Sequence, residues 1–345
     1  MRVLIVKASA LGDIIHALPV LDYLHRVVPG IRIDWVVEGQ NRELLDNHPL
    51  INDLIIINTK KWRRSLFSPE TYREALRVIS RLRKAPYDLV FDIQGNIKSG
   101  IISRLTGADR RYGFDRDGIR ESLNLLFNSH HVSMLPDDQH IARRLLRVVS
   151  APFGNDPAGM ELQTHIATSI EDDNFAGGLV NEHPAGPIVL FHNGTSWATK
   201  LWHIDAWVEL GTMVIGRHPS VTILLSWGSQ KERDTAEAIS RGIGPAAVVL
   251  PHMSLKRFCA LLKRVDLVVG GDTGPVHLAA AVSTPTVSFY RVTDPLRNGP
   301  LGEKHLNVQS DMKCRECLRK ECDRDDECRR SISARAVFEL AENLL

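Results

Sequence analysis

A single carboxylate, Asp13, stands seven residues after the first apolar run of the chain, Val3–Val6, at the start of the first predicted helix. A general base requires a carboxylate whose surroundings hold its proton affinity near the working pH. An acid in the first helical turn also satisfies free backbone amides, which makes it a structural cap. The position of Asp13 alone leaves both interpretations open.

The segment 268–277 is a second candidate site, because an apolar run ends there in Gly270-Gly271 and an acidic turn before a helix. Paired glycines favour close approach of a ligand to the backbone, and free amides at a helix start favour a phosphate or pyrophosphate. Thr273 and His277 share one helix face, and Asp272 is suited to sugar hydroxyls. The alternative interpretation is a capped helix with a solvated histidine.

Polar residues also follow two further predicted strands of the second half. Thr195 and Ser196, with Lys200 beyond them, come after the run Ile188–Phe191, and Glu232 lies just beyond the run Val221–Leu225. Hydroxyls and a lysine suit a diphosphate, and a carboxylate suits ribose hydroxyls. Each segment by itself is equally explained as a polar loop, but three such strand ends favour a shared nucleotide pocket.

A dense basic cluster lies in the first half of the chain. It comprises Lys60, Lys61, Arg63 and Arg64, and Lys98 and Arg120 lie in the same half. Such runs are usually solvated surface. The position of this one after a predicted strand favours an anionic acceptor instead.

Two further patterns relate to metals. Asp115-Arg116-Asp117 and Asp323-Arg324-Asp325 match the Asp-x-Asp of metal-dependent transferases, but neither follows a long apolar strand, which favours surface acids. Four cysteines, Cys314, Cys317, Cys322 and Cys328, have spacings that allow one structural zinc ion. Free thiols or opportunistic disulfides are the alternatives.

Composition limits the class of protein. The 345 residues carry a net charge of +2, with 43% hydrophobic and 24% charged residues, which fits a globular enzyme and argues against nucleic acid as a partner. The first apolar run is too short for a signal-peptide core, and no run reaches the length of a membrane span. We therefore expect a cytoplasmic protein, at most peripheral to a membrane.

The elements that position these residues alternate between short apolar runs and amphipathic stretches, which is typical of parallel α/β sheets. Two such halves are predicted, residues 1–165 and 166–345, with a linker between about 158 and 186 rich in Gly, Pro, Asn and Asp. Open α/β sheets bind ligands at the carboxyl ends of their strands, so a cleft between the halves is expected. Gly12 alone matches the dinucleotide fingerprint, which argues against an NAD-type oxidoreductase.

In combination these motifs resemble glycosyltransferase family nine, the lipopolysaccharide heptosyltransferases. The resemblance covers nearly the whole chain and rests on residues 10–16, on Thr195-Ser196 with Lys200-x-Trp202, and on Asp272-Thr273-Gly274-x-x-His277. Asp92-x-Gln94-Gly95 and Leu250-x-x-Met253-Ser254 are most similar to the type I enzymes. Ser196 replaces an expected threonine, and the four-cysteine segment looks more like other members of the family.

The resemblance implies a GT-B fold, two Rossmann-like domains facing a cleft, and metal-independent, inverting transfer of heptose from ADP-L-glycero-D-manno-heptose to 3-deoxy-manno-octulosonate (Kdo) on lipid A. It implies Asp13 as the catalytic base in an N-terminal acceptor domain. Donor-binding residues would be Thr195, Ser196, Lys200, Glu232, Met253, Asp272, Thr273, Gly274 and His277. Acceptor-binding residues would be Lys60, Lys61, Arg63, Arg64, Lys98 and Arg120. The partners would be the two substrates and the cytoplasmic face of the inner membrane. A family-nine transferase with another acceptor or sugar, or a non-catalytic sugar-nucleotide-binding protein, is the alternative.

Overall fold

The computed structural model describes residues 1–65, 67–84, 86–183 and 186–345. The chain divides into two compact units, residues 1–167 and 168–345. This division falls two residues from the boundary expected from the sequence. Each unit is built around its own parallel sheet, as the runs of β-branched and apolar residues predict.

The first unit holds a six-stranded parallel sheet with the strand order β3-β2-β1-β4-β5-β6 in the described part of the chain. Its strands are β1 Arg2–Val6, β2 Arg32–Glu38, β3 Asp53–Ile57, β4 Leu89–Asp92, β5 Arg111–Phe114 and β6 His130–Val132. Val3 pairs with Ile33 on one side and with Leu89 on the other, so the first strand lies in the middle of the sheet and is buried on both faces.

The helices of this unit connect the strands. They are α1 Leu11–Ile15, α2 Pro19–Val27, α3 Arg42–Leu45, α4 Thr59–Arg64, α5 Pro69–Arg83, α6 Ile97–Leu105 and α7 Ile141–Ser150. The sequence predicts one helix over 11–28, but the helix is interrupted after Ile15, and α2 begins at Pro19. Proline has no N–H to continue a helical ladder and is well placed at a first helical position.

The second unit repeats the plan, with the strand order β12-β11-β10-β7-β8-β9 among the residues described. Its strands are β7 Ile188–His192, β8 Thr222–Ser226, β9 Ala247–Val249, β10 Leu267–Gly271, β11 Thr286–Tyr290 and β12 His305–Gln309. Its helices are α8 Ile170–Asn181, α9 Ile204–Arg217, α10 Gln230–Ile243, α11 Leu255–Leu262, α12 Gly274–Ala281, α13 Pro295–Asn298, α14 Asp325–Arg330 and α15 Ala334–Glu342.

Helix α8 corrects the linker prediction, since it occupies the middle of the range expected to connect the halves. Ser169 and Asp172 form a capping box at its start: each side chain accepts a hydrogen bond from the backbone of the other. The Gly, Asn and Asp content that indicates a loop is therefore accommodated in a helix, because the acids lie in its first turn, where the helix dipole favours them.

An aromatic cluster anchors the loop that precedes α9 to the core of the second unit. Trp202 is buried, its ring centroid lies 5.2 Å from that of Trp207 and 5.0 Å from that of Phe289, and its Nε1 donates to the carbonyl of Ile332 at 2.9 Å. Aromatic rings of this size contribute a large share of core burial. Trp202 is thus a core residue that fixes the position of Lys200, two residues earlier.

Candidate functional site

The predicted residues of the first unit lie after the carboxyl ends of strands in a single sheet. Asp13 follows β1, Lys60–Arg64 lie in α4 after β3, Lys98 lies in α6 after β4, and Arg120 follows β5. All the strands of this sheet are parallel, so these ends share one edge. That edge is where open α/β sheets bind ligands.

Asp13 lies in the first turn of α1 and is partly exposed. Its Oδ2 accepts a hydrogen bond from the Ala10 amide at 3.0 Å. No hydrogen bond to Oδ1 is present in the described part of the chain. The carboxylate therefore combines the two interpretations that the sequence left open, because one oxygen caps the turn and the other is available to accept a proton.

Gln94, which was not among the predicted site residues, holds the backbone just before Asp13. Its Oε1 accepts from the amides of Ala8 and Ser9 at 3.0 and 3.1 Å. Gln94 follows the buried Asp92, whose Oδ1 accepts from the Gln94 and Gly95 amides. The end of β4 thus fixes the turn that presents Asp13.

Three of the predicted acceptor-binding cations already have partners. Lys60 donates to Gln40 Oε1 at 3.1 Å, and Lys61 lies 3.0 Å from Glu70 and 2.8 Å from Glu74. Lys98 Nζ donates to Glu38 Oε1 at 2.9 Å and to Thr59 Oγ1 at 2.7 Å. Lys98 therefore ties α6 to α4 through a nearly buried carboxylate, a role that the sequence did not indicate.

Arg63, Arg64 and Arg120 differ from these lysines. All three side chains are exposed and make no hydrogen bond or ion pair with any described residue. Arginines in this state can bind a phosphate or carboxylate in a two-pronged geometry without first giving up another partner. They are the strongest candidates for an anion on this edge of the sheet.

The predicted residues of the second unit also follow the carboxyl ends of parallel strands. The loop 193–200 follows β7, Glu232 follows β8, Met253 follows β9, and residues 272–277 follow β10. The four strands are neighbours in the sheet, in the order β10-β7-β8-β9. The sequence-based prediction of a shared pocket is consistent with this order.

Asp272 connects two of the predicted donor-binding side chains. Its Oδ2 lies 2.6 Å from Lys200 Nζ, and its Oδ1 lies 3.0 Å from His277 Nε2. Burial by itself raises the pKa of the Asp272 carboxyl, but the hydrogen bond and charge of His277 and the charge of Lys200 outweigh it and hold that pKa well below its usual range. Asp272 therefore orients a cation and an imidazole, whereas the sequence suggested that it binds sugar hydroxyls.

The start of α12 offers unsatisfied hydrogen-bonding groups. Thr273 caps this helix without a side-chain bond to it. Its Oγ1 is buried, and no described residue provides a hydrogen-bond partner for it. A helix start of this kind suits an anion, because the first backbone amides of a helix have no intrahelical partner.

The two glycines before this helix allow other parts of the protein to lie close to β10. A Cβ on Gly270 would lie 2.7 Å from Val276, and one on Gly271 would lie 3.2 Å from the carbonyl oxygen of Lys200. The space next to them is thus taken by the protein itself. The glycines bring the Lys200 segment and α12 close to β10, and the predicted close approach of a ligand to their backbone stays a prediction.

The loop that carries Lys200 is braced by the segment containing the cysteines. Thr199 Oγ1 donates to the Arg319 carbonyl at 2.7 Å. The Trp197 ring, which sequence reasoning missed, lies near two cations, with Lys200 Nζ 4.9 Å and Lys320 Nζ 5.1 Å from its centroid. Thr195 is partly exposed and Ser196 is exposed in the same loop, so both hydroxyls are accessible.

Glu232 has a structural role that can coexist with the predicted one. Its Oε2 accepts from the amides of Gly228 and Ser229 at 2.7 and 3.0 Å, which completes a capping box at the start of α10. The neighbouring Asn193 donates from its Nδ2 to the Glu232 carbonyl, while its buried Oδ1 has no partner among the described residues. Asn193 is therefore a further candidate contact for a polar ligand.

Two aromatic side chains, Trp227 and His252, lie in the loops after β8 and β9, and Met253 follows one of them in sequence. Trp227 and His252 have ring centroids 5.3 Å apart, and Trp227 Nε1 donates to the Leu250 carbonyl at 2.7 Å. Met253 is partly buried and directly follows His252 in sequence. A flat, apolar group such as a purine ring would fit this chemistry.

The four cysteines line one cavity of about 10 Å³, and of the alternatives that their spacings left open the structure shows free thiols. Cys314 and Cys317 are exposed, whereas Cys328 is buried in α14, and all are free thiols. No group of three or more His, Cys, Asp or Glu within the described residues is arranged to hold a metal ion.

One of the Asp-x-Asp residues, Asp325, pairs at 2.6 Å with the buried Arg291. Asp325 is therefore a structural partner more than a surface acid.

Comparison with known proteins gives a consistent result. The family model described as glycosyltransferase family 9 (heptosyltransferase) matches residues 75–326. Lipopolysaccharide heptosyltransferase 1 of Pseudomonas aeruginosa is 36% identical, over 93% of this chain and 87% of its own length. The Escherichia coli K12 enzyme of the same name is 30% identical, over 89% and 92%.

Solved structures agree with the sequence matches. The E. coli heptosyltransferase WaaC with ADP has a TM-score of 0.81 at 28% identity, and all of both chains is covered. The same enzyme with ADP-2-deoxy-2-fluoro heptose has a TM-score of 0.79, also at 28% identity, with 99% of each chain covered. The two sheets described above thus have the GT-B architecture that the sequence predicts.

Proposed function

The chain belongs to glycosyltransferase family 9, and on that premise we propose that it transfers heptose from ADP-L-glycero-D-manno-heptose to Kdo of the lipid A inner core. The observation that carries this proposal is the match to lipopolysaccharide heptosyltransferase 1 over 93% of the chain. The site residues after β7, β8, β9 and β10 supply chemistry that fits a sugar nucleotide.

On this proposal the second unit binds the donor. Lys200, the amides at the start of α12 and the Thr273 hydroxyl hold the diphosphate, and Thr195 and Ser196 add hydroxyl contacts. Asp272 keeps Lys200 and His277 in place. The adenine ring lies against Met253 and Trp227, and Glu232 and Asn193 face the ribose. As the bond from the anomeric carbon to the diphosphate breaks, negative charge grows where these donors already point.

The first unit binds the acceptor and supplies the base. The acceptor hydroxyl attacks the anomeric carbon from the face opposite the leaving ADP, which inverts the configuration. The hydroxyl proton passes to Asp13 Oδ1, the oxygen that has no hydrogen-bond partner among the described residues. Arg63, Arg64 and Arg120 hold the carboxylate and phosphates of the acceptor, with Lys60, Lys61 and Lys98 around them.

A direct test is mass spectrometry of products from a panel of donors and acceptors, in which ADP-heptose and Kdo-lipid A should be the preferred pair.

A reversal of charge tests the acceptor site. Arg63→Glu/Arg64→Glu should raise the KM for phosphorylated acceptor by roughly a hundredfold or more, because two charged hydrogen bonds are lost and each is worth about 1.5–3 kcal/mol. The same variant should bind ADP with unchanged affinity in calorimetry. Arg241→Glu/Lys304→Glu makes the same change of charge at exposed positions of the second unit. If the two variants raise the acceptor KM equally, the cluster is not an acceptor site.

The proposed mechanism uses no metal, which chelation tests. Prolonged treatment with EDTA and removal of the chelator should leave the rate of heptose transfer within about twofold of the untreated rate, because the cations that stabilise the leaving diphosphate belong to the protein. Restoring Mg²⁺, Mn²⁺ or Zn²⁺ should not increase the rate further. A loss of transfer that one of these ions restores would refute the metal-independent mechanism.

The proposed acceptor is a lipid, so we further propose that the enzyme works on the cytoplasmic face of the inner membrane. In the described residues no helix combines the length and apolar character needed to cross a bilayer. Contact with the membrane would then be peripheral.

A further inference from the structure

One face of the first unit has an unusual charge. Residues 59–84 contain nine Lys and Arg but two acidic residues, in a chain whose net charge is only +2. Helices α4 and α5, with Phe67 between them, form most of this segment, which we call the basic hairpin. The rest of the chain is therefore net negative, and a net charge of +7 is concentrated here.

Both acids of the basic hairpin are used to hold its two helices together. Glu70 and Glu74 pair with Lys61, and Glu74 also accepts from Trp62 Nε1 at 2.8 Å. Arg63, Arg64, Arg73 and Arg77 form no ion pair with any described residue. Most of the positive charge thus remains unneutralised at the surface.

Large apolar side chains are exposed among these arginines. Phe67 is 91% exposed, Leu76 63% and Tyr72 57%. Tyr72 and Leu76 are four residues apart on α5 and share one stripe, and Arg73 and Arg77 form the next stripe around the helix. The opposite side of α5 packs inward through Val78 and the buried Leu82. An apolar stripe beside a basic stripe is the pattern of helices that lie in a membrane interface.

We propose that the basic hairpin docks on an anionic phospholipid bilayer, with Phe67, Tyr72 and Leu76 inserted at the level of the headgroups. This deepens the proposed function, because an enzyme with a lipid acceptor has to work at such a surface. A second copy of the chain is disfavoured as the partner of this surface, because two basic hairpins, each with a net charge of +7, would repel one another. Acidic lipid supplies the opposite charge, and the hydrocarbon boundary accepts the apolar side chains.

The test is sedimentation of the full-length protein with vesicles of neutral phosphatidylcholine, with or without one third phosphatidylglycerol. The wild type should bind the anionic vesicles and be released by high salt, which screens the attraction. Arg73→Gln/Arg77→Gln should lower partitioning about thirtyfold, since each basic residue contributes about 1 kcal/mol near such a surface. Phe67→Ser/Leu76→Ser should lower it about tenfold or more.

Two control variants make the same changes outside the basic hairpin. Ile170→Ser/Leu301→Ser replaces apolar residues that are 76% and 57% exposed, and Arg241→Gln/Arg335→Gln removes two exposed charges from the second unit. Both should bind vesicles like the wild type. The docking proposal is overturned if the wild type does not bind anionic vesicles, or if the hairpin variants and their controls lose vesicle binding equally.

A soluble acceptor separates this proposal from the proposed function. The hairpin variants should transfer heptose at the wild-type rate to an acceptor stripped of its acyl chains, because they leave the proposed donor and acceptor residues intact. If the wild type transfers heptose to none of the acceptors, the proposed function is refuted, but the vesicle-binding result still stands. Normal transfer together with unaltered vesicle binding by the hairpin variants would refute the docking surface alone.

Discussion

Replacement of Asp13 by asparagine is expected to give a folded enzyme that binds ADP-heptose normally and turns over ~10²–10⁴-fold more slowly, the usual cost of a lost general base. Asparagine retains an oxygen that can accept from the Ala10 amide at the position of Asp13 Oδ2. It cannot accept the acceptor proton at the second oxygen. The measurements are kcat with both substrates saturating, donor affinity by calorimetry, and the unfolding temperature.

Asp117→Asn is the matched control, because Asp117 is an exposed acid after β5 at the same edge of the sheet. It should retain wild-type turnover. Asp13→Ala should in addition lose about 1 kcal/mol of stability, since the turn loses its cap. An Asp13→Asn enzyme with near-native turnover would reduce Asp13 to a cap and make His16 or His277 the next candidate base.

The central strands were predictable from sequence because burial on both faces leaves an unbroken apolar run. Val3–Val6, Ile188–Phe191 and Leu267–Val269 are such runs, and each lies in the middle of a sheet. Since parallel strands end at one edge, the residues after them were predicted to share a site without any knowledge of contacts.

Two edge strands, β6 and β12, were missed for the opposite reason, whereas the edge strands β3 and β9 were predicted. Strand β6 contains two exposed histidines, and β12 is only partly buried at an edge of the second sheet. Neither has the alternation or the continuous apolar character that marks a strand. Helix α8 shows no clear apolar stripe and contains Gly177-Gly178, and its capping box is the signal that could have identified it.

The sequence could not predict which side chains of the site form ion pairs with each other. Lys98 and Lys200 are both lysines after strands, yet one is tied to Glu38 and the other to Asp272. Glu38 ends β2 and Asp272 follows β10, whereas the lysines follow β4 and β7. Each pairing therefore depends on the order that the strands take in the folded sheet. Likewise the Gly270-Gly271 pair indicates close approach, but only packing shows that the approaching groups are Val276 and the Lys200 backbone.

Loss of the Lys200 ammonium is expected to have the largest effect on the donor side. Lys200→Ala should reduce kcat by ~10²-fold or more, as is typical when one group that stabilises transition-state charge is removed. The fold should survive, because Asp272 keeps its 3.0 Å contact with His277 and Trp202 still anchors the loop in the core. The measurement is kcat at saturating ADP-heptose, with thermal unfolding recorded for the same samples.

Lys320→Ala provides the control, since Lys320 lies 5.1 Å from the same Trp197 ring but forms no ion pair with Asp272. It removes an equal charge from the same part of the surface and should leave kcat within about threefold of wild type. Equal losses in the two variants would mean that the general positive field, and not a positioned ammonium, stabilises the departing diphosphate. Near-native kcat in Lys200→Ala would mean that the diphosphate does not bind beside Asp272, and the donor site would have to be placed elsewhere along the carboxyl edge of the second sheet.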